Sequence, residues 1–202
     1  MDKRVRTYDD LARELLATDG DVRLVGVDGC GASGKTTFAS RLARAAGDVP
    51  VVHTDDFASF DEPTQWWPRM LAEVIDPLSR GQAASFRPYD WVRRQQSAET
   101  IVIAPAALVL IEGVGATRQA WRDRLAARIW VEAPHDVRLR RGLERDGAHM
   151  REFWTWWMAE EDGYVAAEAP ETHADLRVDG DPSVVHDPDA EFVVTQRVSG
   201  PR

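Results

Sequence analysis

Residues Gly29-Cys30-Gly31-Ala32-Ser33-Gly34-Lys35-Thr36 constrain this chain more than any other stretch. An apolar run, Val22-Arg23-Leu24-Val25-Gly26-Val27-Asp28, leads into them, and an amphipathic run, Thr37-Phe38-Ala39-Ser40-Arg41-Leu42-Ala43-Arg44, leads out. Strand, glycine-rich turn and helix in that order fit the spacing G-x-x-x-x-G-K-[ST]. The physical content of the spacing is an anion nest. Glycines let successive backbone N–H groups point inward, and the following helix adds the positive end of its dipole. On this reading Gly29, Gly31, Ala32, Ser33, Gly34, Lys35, Thr36 and Thr37 hold the phosphates of a nucleoside triphosphate, ATP. Lys35 places a compact positive charge on the β/γ-phosphates and the Thr36 hydroxyl is an oxygen ligand for Mg²⁺. A glycine-rich turn with a chance lysine is the bland alternative, and the strand–loop–helix context weighs against it.

The chain has 202 residues, enough for one well-packed domain over 1–202 and too few for two ordinary ones. Its net charge of −9 argues against extended binding to nucleic acid or to anionic membranes, both of which need a basic field. The single cysteine, Cys30, has no partner for an internal disulfide and reads as loop filler. No stretch approaches the length of a membrane span and no apolar signal region follows Met1, so the expected location is the cytoplasm. Self-association into a homo-oligomer stays open.

Read in order, residues 7–16 form an amphipathic helix with Tyr8, Leu11, Ala12, Leu15 and Leu16 on one face, capped by Thr7 or Asp9. Residues 49–54 form a strand joined to the first by a helix, so the two are parallel and end at one edge of the sheet. Asp55 and Asp56 follow at that edge, where open α/β sheets bind ligands. A helix over 63–78 puts Trp67, Met70, Leu71, Val74 and Ile75 on one face; Trp67 reads as core, and Trp66 as core or as the wall of an acceptor pocket. Two strands flank a polar connection between Ser85 and Ile103. Ala107-Leu108-Val109-Leu110-Ile111 is apolar throughout, as a strand buried on both faces should be, and ends in Glu112. Residues 117–127 read as helix, 128–133 as a core strand, and 135–146 as a helix carrying Arg138, Arg140, Arg141 and Arg145. An arginine-rich helix in an acidic chain reads either as a solvated face or as part of a lid, about 135–155, bending at Gly142 and Gly147. A long helix over 150–169 packs the lid to the body. Residues 174–179 are a last sheet strand or a loop beside the adenine, and 191–195 an edge strand. The histidines and Cys30 form no metal-ligand pattern.

With these pieces in place the chain resembles the uridine kinase branch of the phosphate-loop kinases, which also includes phosphoribulokinase-like and pantothenate kinase-like enzymes. Asp55-Asp56-Phe57 resembles the family's D-S-F motif, Phe60-Asp61-Glu62-Pro63 its F-D-H-P, and Pro88-Tyr89-Asp90-Trp91 its P-x-Y-D-F segment. Leu110-Ile111-Glu112-Gly113 is similar to its F-E-G-I strand end, and Asp136 to Asp146 to its lid helix. The resemblance implies a three-layer α/β P-loop fold with a mostly parallel central sheet and a helical lid. It implies Mg²⁺-dependent transfer of the ATP γ-phosphoryl group to a hydroxyl of a small acceptor, above all a nucleoside such as uridine or cytidine. It assigns the catalytic base to Asp55, phosphate charge neutralisation to Lys35, Arg141 and Arg145, and the magnesium site to Thr36 with Glu112. Asp56, Asp61, Tyr89, Arg93 and Arg94 fall on the acceptor side. Arg94 stands where the family carries a histidine, which leaves open an anionic or sugar-like acceptor. A switch protein that hydrolyses ATP slowly is the reading outside kinases. A GTPase is disfavoured because no N-K-x-D motif is present.

Overall fold

Among the described residues, seven strands build one central sheet, in the spatial order 51–53, 108–112, 23–28, 125–132, 176–179, 191–197 and 4–7. The structure is a computed structural model, and it describes residues 3–60 and 65–197. Along the chain, β1 (Arg4–Thr7) runs into α1 (Tyr8–Leu16), then come β2 (Arg23–Asp28), α2 (Lys35–Ala45) and β3 (Val51–His53). A helical stretch follows as α3 (Trp67–Met70), a π turn over Leu71–Ile75 and α4 (Asp76–Ser79). Two small hairpins pair β4 (Ala84–Phe86) with β7 (Ile101–Ile103), and β5 (Tyr89–Asp90) with β6 (Gln95–Gln96). The chain then supplies β8 (Leu108–Glu112), β9 (Leu125–Glu132), α5 (His135–Asp146), α6 (Arg151–Glu168), α7 (Pro170–His173), β10 (Leu176–Asp179) and β11 (Glu191–Arg197).

Alternation along the central strands explains the three layers. In β8, Leu108 and Leu110 face one apolar cluster while Val109 and Ile111 face the other. In β2, Val25 and Val27 face the first and Leu24 the second. Side chains that point alternately up and down, all apolar, need cover on both sides. The first face receives α1 and α2 through Leu11, Leu15, Phe38 and Leu42; the second receives Met70, Val74, Ile75 and Leu78. β3, β8, β2, β9 and β10 are mutually parallel, so their C-terminal ends share one edge. The helix-linked β2 and β3 are separated by β8, which pairs with both.

Local rules account for the boundaries. Thr7 Oγ1 accepts from the Asp10 amide at 3.1 Å, the N-cap of α1, worth about 1 kcal/mol. Leu16 falls outside the buried face that Tyr8, Leu11, Ala12 and Leu15 share. The π turn ends where Pro77, lacking an N–H, has no bond to give the Glu73 carbonyl one turn back.

Four expectations are corrected. Residues 117–127 are turns and a short 3-10 helix, Arg122–Arg124, before β9 begins at Leu125. Thr117 bonds to buried Asp28 and Trp121 Nε1 donates to the Ala116 carbonyl, so this segment is tied into the core instead of coiling on alanine propensity. Trp66 is the buried tryptophan, packed with Phe57 and Trp121, while Trp67 is only partly covered. β11 is internal because β1 pairs beyond it, antiparallel, Arg4 opposite Val194. Gly142 lies inside α5, where a Cβ would fall within the Trp154 ring, so its role is close helix contact and not bending. We expect Gly142→Ala to destabilise by about 1–2 kcal/mol, overpacking outweighing the helical advantage of alanine. A melting temperature at or above that of the parent would contradict this.

Candidate active site

The phosphate loop joins β2 to α2 at the sheet's ligand edge. Gly34 (φ +100°) and Ala32 (φ +59°) both adopt left-handed backbone conformations. Alternating conformations of this kind turn successive amides to one side, and a non-glycine held there is strained. Gly180, just past β10, lies flat against the loop: a Cβ there would strike the Ser33 carbonyl, and its own amide donates to Glu132 O at 2.7 Å. Gly31, Ala32, Gly34, Lys35, Thr36 and Thr37 line a cleft of about 890 Å³. Gly29 and Ser33 form the buried underside of the loop. Cys30 is buried there too, and burial with the nearby Glu161 pushes its thiol up to about 12, which keeps it protonated and inert.

Glu112, at the end of β8, is buried, and its Oε1 accepts from Thr36 Oγ1 at 2.9 Å. Its Oε2 is 2.6 Å from His53 Nδ1 at the end of β3. Burial pushes the Glu112 carboxyl upward, but the His53 bond, the Lys35 and His53 charges and the Thr36 bond outweigh it and bring it below the usual range. The bond to Glu112 raises His53 in turn. A hydroxyl and an ionised carboxylate side by side at the loop are hard oxygen donors, the type Mg²⁺ prefers. The pair therefore fits that ion.

Asp55 is exposed in the short 3-10 turn after β3 and lines the same cleft. Trp91 Nε1 donates to the Asp55 carbonyl at 3.0 Å and fixes the turn. Asp56 points elsewhere: it is half-buried near His53 and Arg69, and burial raises its carboxyl. From α5, Arg141 and Arg145 line the cleft. Arg141 donates to Gly180 O at 3.0 Å and Asp181 Oδ1 at 2.7 Å, tying α5 to the end of β10. Arg145 is held bidentate by Asp146 and lies 5.5 Å over the Trp154 ring.

Of the acceptor-side candidates, Tyr89, Arg93 and Arg94 sit on the β5–β6 hairpin and do not line the cleft. Arg93 is exposed, and the Arg94 guanidinium stacks on Phe60 at 4.5 Å. Asp61 lies outside the described residues. What lines that end instead is aromatic. Phe60, Trp91, Phe153 and Trp157 are in mutual ring contact, with Phe60–Trp91 at 5.1 Å, Trp91–Trp157 at 6.2 Å and Phe153–Trp157 at 5.8 Å.

Two buried carboxylates escaped the sequence reading. Asp28 accepts from the amides of Gly29, Gly115 and Thr117, from Thr117 Oγ1 and from Tyr164 OH. Its only sequence signal is its place directly before the loop. Glu161 on α6 accepts from the Gly31 amide at 2.7 Å and pairs with buried Arg138 at 3.1 Å. Nothing in the local sequence marks it, because its partners lie far along the chain.

The sequence profile of the Phosphoribulokinase / Uridine kinase family matches residues 53–152. A uridine kinase of Borrelia duttonii is 24% identical over 139 residues, 62% of this chain and 68% of that protein. Among solved structures, a possible uridine kinase from Bacillus stearothermophilus superposes with TM-score 0.63 at 22% identity, covering 84% of this chain and 96% of that one. A putative fructose transport system kinase from Silicibacter superposes with TM-score 0.53 at 22% identity, over 69% and 81% of the two chains. The mostly parallel sheet between helical layers is the fold of these proteins. Over residues 53–152 the chain is similar in sequence to the Phosphoribulokinase / Uridine kinase family, and its fold is that of the two kinase structures above.

Proposed function

We propose that the protein transfers the γ-phosphoryl group of ATP to a hydroxyl of a small, flat acceptor, with nucleosides as the first class. The observation that carries this reading is one cleft lined by the phosphate loop, Asp55, Arg141, Arg145 and the aromatic wall. A plain nucleotide switch has no use for an exposed carboxylate and a cluster of four rings, packed mostly edge to face, beside its triphosphate. The rings offer a planar ligand dispersion and quadrupole contacts. Of the arginine pair that would favour an anionic acceptor, Arg93 is exposed beside Asp90, and Arg94 lies over the Phe60 ring of the wall.

In the proposed step Asp55 takes the proton of the acceptor hydroxyl as its oxygen bonds to the γ-phosphorus. Lys35 and the loop amides hold the phosphate oxygens while the bond to the bridging oxygen breaks and ADP leaves with its electron pair. Thr36 and Glu112 are the residues that would hold Mg²⁺, which supplies further neutralisation of phosphate charge when bound. Arg141 and Arg145 stand over the cleft to oppose charge on the group in flight.

ADP release from Mg²⁺-ATP across nucleosides, nucleotides, sugars and hydroxy acids tests the reading. Uridine or cytidine is expected to raise release above the ATP-only background. A response confined to sugars or anionic acceptors would end the nucleoside assignment. ATP binding without any acceptor response would favour a switch protein over a kinase.

A further inference from the structure

Helix α6 touches both ends of the cleft. Trp157 presents its ring to the aromatic wall, and its Nε1 donates to Glu161 Oε1 at 2.8 Å. The same oxygen accepts from the Gly31 amide of the phosphate loop at 2.7 Å, while Glu161 Oε2 takes Arg138 Nη1 at 3.1 Å from α5. One buried carboxylate, its side chain 2% exposed, thus joins wall, loop and α5. The loop lies directly on the helix here: a Cβ at Gly31 would come within 2.9 Å of Glu161 Oε1 and 3.2 Å of the Trp154 ring. One helical turn on, Tyr164 OH donates to Asp28 Oδ2 at 2.7 Å, just before the loop begins. Glu161 and Tyr164 lie on the same side of the helix and hold the loop's entry at two points.

Stability alone is a poor reason for this arrangement. A buried ion pair is often replaceable by apolar side chains with no loss, whereas its geometric demands fix register. Here the geometry is specific, since moving the Trp157 ring pulls on the oxygen that holds the Gly31 amide.

We propose that Glu161 is a positioning residue that couples the aromatic wall to the phosphate loop, so that filling either end of the cleft sets the geometry of the other. The inference rests on the kinase reading for what fills the two ends, and linkage makes the coupling reciprocal. It can therefore be read from the nucleotide side alone.

The experiment is hydrogen exchange on the full chain with and without β,γ-methylene-ATP, followed on peptides covering the loop and α6. Three proteins are compared: the parent, Trp157→Phe, which keeps a ring but loses the donor, and Glu161→Gln, with folding checked by melting. In the parent, the analogue is expected to slow exchange in the loop and in α6 around Trp157, by at least about fivefold. In Trp157→Phe the loop is still protected and the α6 response is lost. Loss of the α6 response is expected in Glu161→Gln as well. A purely structural Glu161 would lower melting temperature and leave the α6 response of Trp157→Phe intact, and that result overturns the proposal. So does a parent whose α6 ignores bound analogue. Failure of the analogue to bind at all would instead bring down the kinase reading, and this inference with it.

Discussion

Asp55→Asn is expected to lower kcat by roughly 10²–10⁴-fold, the range for loss of a positioned general base. Melting temperature should barely move, because the side chain is exposed and the turn is held through the Asp55 backbone carbonyl, which takes Trp91 Nε1. Asparagine keeps shape and hydrogen-bonding reach and removes the negative charge together with the ability to take a proton. Steady-state kinetics with the responsive acceptor, alongside a thermal melt, separates the two quantities. Near-normal turnover in the folded variant would remove Asp55 from the chemistry, leaving charge neutralisation at Lys35 and the arginines as the main source of acceleration.

The second large effect is on stability. Asp28→Ala removes the acceptor for three backbone amides and two hydroxyls, all within 2.7–3.0 Å of its oxygens. Hydroxyls can turn to other partners, but the amides of Gly29, Gly115 and Thr117 are fixed by the backbone. Each buried orphan costs about 1–3 kcal/mol, and allowing for relaxation we expect a loss of about 4 kcal/mol. For a chain of this size that is roughly a 10 °C fall in melting temperature. Burial pushes the Asp28 carboxyl up against the pull of its bonds from Tyr164, Thr117 and Gly29, so the group is already held at some expense. Tyr164→Phe, which removes one donor and orphans no amide, should lose only about 1 kcal/mol. An alanine variant melting within two or three degrees of the parent, roughly 1 kcal/mol, would mean that water replaces the carboxylate.

Where sequence and structure agree, the signal is local. The strand–loop–helix around Lys35, the wholly apolar β8 and the amphipathic α1 are each specified by neighbours within a few turns. The misreadings share a different cause. Leu125-Ala126-Ala127 has helical propensity but is drawn into β9 by pairing with β2, a tertiary effect. β1, Arg4–Thr7, alternates charge and small side chains and becomes a strand only because β11 lies beside it. In the site, Asp55 is legible from its strand end, whereas the wall residues Phe153 and Trp157 read as ordinary helix packing until α6 is seen beside the cleft. Tyr89 and Arg94 carry the family pattern and sit behind the wall, Tyr89 against the Trp91 ring and Arg94 over Phe60.

The pairing of β1 with β11 also orders events during synthesis. Arg4 cannot meet Val194 until all the residues between them have been made, and Tyr8 of α1 rests its ring on Phe192 as well as Phe38. At ribosomal rates of 5–20 residues per second, roughly 10–40 s separate these partners. Throughout that interval β1 has no partner and α1 lacks part of its seat; β10, finished only at Asp179, then presents an unpaired edge for roughly 1–4 s until β11 is made, open to intermolecular pairing on that side. The acidic character of the chain, −9 overall, keeps copies apart while the edge waits.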